Sequence, residues 1–162
     1  MILKFIYTLF IGILLALFVG FGIAAFYEEP KYPEPPISLR YSSPVYPETK
    51  ESTAASRLKA DQIKQDKLEK DFQKKISVYN RNVSVIALTA AIIYLIVSLT
   101  LTKHLMLLSD GLLLGGVFTL LYGIGRGFGS NDSKFQFIMV TIGLVISLVL
   151  GYIKFIKPKP ER

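Results

Sequence analysis

One stretch places reactive residue types close together: SDGLLLGGVFTLLYGIGRGFG, residues 109–129, where Asp110 and Arg126 sit among glycines. Lys103, His104 and Ser109 lie just before or at its start. Three kinds of chemistry could use such a set: a glycine loop cradling phosphate, a hydroxyl–imidazole–carboxylate nucleophile, or a carboxylate handling protons within a membrane. The first two fail on spacing. There is no GxxxxGK[ST], and GIGRGFG lacks the GxGxxG order that a dinucleotide site needs after a strand. Ser109, His104 and Asp110 are crowded in sequence, whereas a triad is defined by geometry. His104 is the single histidine and there is no cysteine, so neither a zinc site nor a thiol nucleophile is expected. No enzyme, metal or cofactor is expected from these residues.

Asp110 remains. A carboxylate in an apolar segment is costly and is by default a functional candidate. It can act as a helix cap or ion-pair partner, or it can handle a proton or ligand. Lys4, Lys103, His104 and Lys154 are expected on its side of the membrane. Arg126 is sixteen helical residues away, about 24 Å, and cannot reach it.

The elements that position these residues are four nearly uncharged apolar runs: 5–26, 83–102, 105–124 and 135–153. Hydrophobic residues make up 51% of the chain and the mean hydropathy is +0.44. A helix needs about 20 residues to cross the roughly 30 Å hydrocarbon core. Each run meets that length and is too long and uniform for a barrel strand. The expected fold is therefore all-α: an integral membrane bundle of four transmembrane helices, with the bilayer as its first partner. The domains are 1–26, a first span retained as a signal anchor; 27–50, a proline- and tyrosine-rich extended stalk; 51–82, a charged amphipathic helix leading into the second span; and 83–162, three further spans (83–102, 105–125, 135–154) with a basic tail. Cleavage after Ala24 is the alternative for the first span. Its 22-residue apolar run exceeds the roughly 7–15 residues usual in signal sequences.

The net charge of +7 does not point to nucleic acid. Residues 27–82 hold eleven of the nineteen Lys/Arg together with nine acids. Most of the remaining excess flanks helix ends, where it sets topology. Lys4, Lys103, Lys154, Lys157, Lys159 and Arg162 fall on one side, so both termini are expected in the cytoplasm.

Between the first two spans, YEEPKYPEPPISLRYSSPVYPE should be a semi-rigid extended spacer, since proline removes donors and restrains its neighbours. No glycine or proline follows until after Asp110. Residues 51–82 are rich in helix formers. Leu58, Leu68, Phe72, Ile76 and Tyr79 fall within an arc of about 80°, shared with Asp61 and Gln65. That stripe packs on the membrane or the bundle, or docks a protein partner or a second copy.

Small residues recur at fourfold spacing within the spans: Gly12, Ala16, Gly20 and Ala24; Gly111, Gly115, Thr119, Gly123 and Gly127; Gly143, Ser147 and Gly151. Ala87 and Ala91 add a pair in the second span. In lipid such rows let backbones approach and form packing seams. A fourfold row drifts around a helix by about 40° per step, so it need not meet one neighbour throughout. Gly125, Gly127 and Gly129 are expected to end the third span.

GIAAFYEEPKYPEPP, YNRNVSVIA and SDGLLLGGVFTLLYGIGR together resemble segments of small uncharacterised four-span membrane proteins of bacteria, particularly of streamlined lineages. The resemblance implies a multi-pass protein of the cell envelope, in the plasma membrane, and carries over no functional residues. The expected role is a structural or accessory component interacting through its amphipathic helix. The alternative is a small transporter or channel subunit using Asp110.

Overall fold

The structure is a computed structural model that describes residues 2–34, 51–101 and 106–156. The elements among the described residues are all helices, without strands: α1 is Ile2–Phe26, α2 Glu51–Leu101, α3 Met106–Phe128 and α4 Ser133–Gly151, followed by a π-helical turn, Tyr152–Ile156. All four α-helices are long and apolar enough to cross a membrane, which makes this a multi-pass membrane protein. Residues 35–50, on which most of the expected stalk falls, residues 102–105 and residues 157–162 lie outside the described residues.

Helix ends follow local chemistry. α1 closes with the Tyr27 amide donating to the Ile23 carbonyl at 2.8 Å, and Pro30 then disfavours helical geometry at Glu29. α2 runs 51 residues unbroken because no glycine or proline interrupts it. α3 continues through Gly125 and Gly127 to Phe128, past the expected stop at 125. Those two glycines do not break it, since a helix in an apolar setting has no water competing for its backbone groups. Gly129 and Ser130 close the end, donating to the Arg126 and Gly127 carbonyls at 3.0 and 3.1 Å. Asn131 turns the chain at φ 51°, a left-handed geometry that asparagine tolerates better than most side chains. Asp132 then caps α4, its Oδ1 accepting from the Lys134 and Phe135 amides at 3.0 and 3.2 Å.

The chain forms two compact units, Met1–Glu28 with Ser77–Arg162, and Glu29–Ile76. In the first, α3 is the helix that the others meet. Its glycines divide between neighbours, as the drift of a fourfold row requires. A Cβ on Gly111 would lie 2.8 Å from Ile11 Cγ2, and one on Gly115 would lie 2.8 Å from Leu15 Cβ, so these two receive α1. Gly12 answers from α1, 3.0 Å from Leu114 Cγ on the same basis. Further along, α2 takes over. A Cβ on Gly116 would lie 2.6 Å from Leu95 Cδ2 and 3.3 Å from the Ala91 carbonyl; on Gly123 it would lie 3.2 Å from Ala87 Cβ and 3.3 Å from the Ser84 carbonyl. Gly143 of α4 accepts Ile124, 2.8 Å from such a Cβ. Val83, Ala87 and Ala91 are fully buried, and Leu88, Ala91, Leu120 and Met139 form the core between α2, α3 and α4.

Candidate functional site

Polar side chains in this bundle collect at two levels. At the start of α3, Ser98 of α2 and Ser109 of α3 exchange hydrogen bonds. The Ser98 hydroxyl donates to the Ser109 carbonyl and the Ser109 hydroxyl to the Ser98 carbonyl, each at 2.7 Å. Both residues are about 1% exposed, so the exchange satisfies hydroxyls that burial would otherwise penalise. Ser109 is thus no cap, and neither is Asp110, because α3 has already begun at Met106. Asp110 points instead to α4's end, where Lys154 Nζ donates to its Oδ1 at 2.6 Å. Lys154 sits in the π-helical turn that follows α4. The side chains keep 28% (Lys154) and 42% (Asp110) of their exposure, so this pair is at the rim of the bundle.

At the other end, Arg126 joins α3 to α2. Its Nη1 donates to Asn80 Oδ1 at 3.1 Å, and its guanidinium lies 5.4 Å from the centre of the Tyr79 ring. Asn80 Nδ2 donates onward to the Gly129 carbonyl at 3.1 Å, and the Ser77 hydroxyl donates to the Ser130 carbonyl. Tyr79 stacks on Tyr27, with ring centroids 5.1 Å apart and planes 4° from parallel. Asn82 Nδ2 donates to the Tyr27 hydroxyl at 2.9 Å. Between the two levels, the Ser84 hydroxyl donates to the Gly123 carbonyl at 2.6 Å, where a Cβ on Gly123 would meet Ala87 Cβ at 3.2 Å and the Ser84 carbonyl at 3.3 Å, a tight approach.

The sequence-derived candidates divide accordingly. Asp110 and Arg126 occupy opposite ends of α3 and do not meet, as their spacing requires. Lys103 and His104 lie outside the described residues, as does the side chain of Leu58. Gly12, Gly111, Gly115, Gly123 and Gly143 are buried at helix contacts, and Ala16 is half-buried. Gly20 and Gly151 are corrected: a Cβ on either would meet nothing within 4 Å, so neither belongs to a seam within this chain. Ser147 faces outward and its hydroxyl donates to its own helix, to the Gly143 carbonyl at 2.8 Å. Tyr79 is corrected as well. It shares the angular arc of the α2 stripe but is only 4% exposed, stacked within the bundle rather than offered for docking. Leu68, Phe72 and Ile76 are half-buried. Ser77, Asn80, Ser84 and Ser98 join the site only through the structure; serines and asparagines within apolar helices are the signal that finds such interhelical bonds.

Among the described residues, no three His, Cys, Asp or Glu side chains come together to hold a metal ion. A shallow groove along α1, lined by Ile11, Leu14, Leu15, Phe18, Phe21 and Ala25, is apolar. No family model, no curated protein and no solved structure matches the chain.

Proposed function

We propose that this chain is a non-enzymatic structural or accessory protein of a bacterial cell envelope, held by four spans with both termini in the cytoplasm. The interaction it serves, with a protein partner or a second copy, runs through the segment between the first two spans. One observation carries the reading: the polar side chains of the bundle join helix to helix. Ser98 with Ser109, Ser84 with Gly123, Asn80 with Arg126 and Asp110 with Lys154 each tie two elements. Such bonds between helices stabilise a bundle in lipid without any ligand. The loop helix supports the other half of the reading. Its exposed positions between 59 and 76 carry six lysines and three acids, a charged face available to a partner.

A second reading, a small transporter or channel subunit, draws on the 42% exposure that Asp110 retains beside Lys154. Replacing Asp110 with Asn separates the two. A drop in folded yield with no change in any proton-linked flux supports the accessory role; intact yield with lost flux supports transport.

A further inference from the structure

Between residues 59 and 76, α2 sorts its charges by face. At 100° per residue, Lys59, Ile63, Lys67, Lys70 and Lys74 fall within an arc of about 80°, and no other residue of the stretch shares it. All five are exposed, Ile63 by 69%. Asp66 and Asp71 lie outside the arc, within about 40° of its edges, and Asp61 and Glu69 lie well away from it. None of the four lysines forms an ion pair with another described residue. The row extends about 22 Å along the helix. On the opposite face lie Leu68, Phe72 and Ile76, half-buried, with the Tyr32 ring 5.0 Å from that of Phe72. Ile63 is the one large apolar side chain of the stretch that is set among cations.

We propose that this row docks a protein partner of complementary charge, whose surface carries several carboxylates around one apolar contact for Ile63. The proposal rests on the interaction role given above to the segment between the first two spans, and it names that partner's chemistry. Charge decides against a second copy, because the same row on a symmetry-related chain would set lysine against lysine. The faces decide against a bilayer. An interfacial helix enters lipid by its apolar side. Here that side is half-buried and shared with Asp61 and Gln65, and the lysines lie opposite it. A purely anionic polymer would satisfy the lysines and leave Ile63 in water. An acidic protein surface serves both: its carboxylates steer the approach, and the isoleucine gains from burial.

Photo-crosslinking tests it. A benzophenone side chain replaces Ile63, Gln62 or Gln73, one position per variant, in the full-length protein, which is irradiated in the cells that naturally make it. Gln62 and Gln73 are exposed but lie off the row. Position 63 should give an adduct with a different protein, joined through a peptide bearing clustered Asp and Glu, and positions 62 and 73 should give far less of it. Lys67→Glu with Lys70→Glu should cut that adduct about tenfold, since two attractions become repulsions. Lys67→Arg with Lys70→Arg should retain it, and Lys59→Glu with Lys74→Glu replaces the first pair if that fails to fold. An adduct with lipid, with a second copy or with a peptide poor in acids would overturn the proposal, as would an adduct indifferent to the Glu pair. Protein adducts from 62 or 73 with none from 63 would overturn it and leave the interaction role standing. No protein adduct from any of the three would overturn both.

Discussion

Lys154 Nζ lies 2.6 Å from Asp110 Oδ1, tying the first turns of α3 to the turn that follows α4. Neither side chain is buried, so screening limits the pair to about 1 kcal/mol or less. Asp110→Asn and Lys154→Gln should therefore destabilise by similar small amounts, and the double variant by little more than either. Exchanging the charges, Asp110→Lys with Lys154→Asp, should recover part of the loss. Unfolding of the purified protein in mixed detergent measures all four.

Glycines along α3 should differ sharply from those in open space. Gly116→Ala places a methyl group against buried Leu95 and the Ala91 carbonyl and should cost about 1–3 kcal/mol, as overpacking usually does. Gly20→Ala meets nothing within 4 Å and should change stability by no more than about 0.5 kcal/mol. The same unfolding assay applied to both decides whether the contacts of α3 carry the packing.

The reciprocal Ser98–Ser109 exchange gives a third expectation. A double-mutant cycle with alanine at each position should show a coupling of about 0.6 kcal/mol, the average for interhelical hydrogen bonds in membranes, and no more than about 1.7 kcal/mol. Zero coupling would mean that each hydroxyl finds a substitute within its own helix.

Arg126 should tolerate lysine poorly. Lysine keeps the charge but cannot combine a donor to Asn80 with a planar face over Tyr79, so Arg126→Lys should cost about 0.5–2 kcal/mol. Tyr79→Leu should lose a comparable part, and the two losses should be less than additive because the residues touch.

The spans were legible because runs of 19 to 22 apolar residues, nearly free of charge, admit few other readings. Continuity of α2 was legible too, from the absence of helix breakers between 51 and 101. The end of α3 was not, since Gly125 and Gly127 read as stops by soluble rules while the helix passes through both. The fourfold row of α3 pointed to packing, but which neighbour each glycine meets depends on how helices cross, and spacing does not encode that. Gly20 and Gly151 fit the same pattern and face open space. Tyr79 shows the same limit from another side: its angle matched the Leu68–Phe72–Ile76 stripe, yet its burial comes from Tyr27 and Arg126, 52 and 47 residues away in sequence. Asp110 stood out on composition alone. Its partner Lys154, one of several cations expected on that side, was singled out only by the course of α4.

The most direct test of a structural role for the bundle's polar groups is proton-linked flux in proteoliposomes containing wild-type protein or Asp110→Asn, alongside the folded yield of each. Lower folded yield for Asp110→Asn, with equal flux per folded molecule at the level of empty liposomes, is the expected result. Full folded yield together with a wild-type flux that Asp110→Asn abolishes would contradict it.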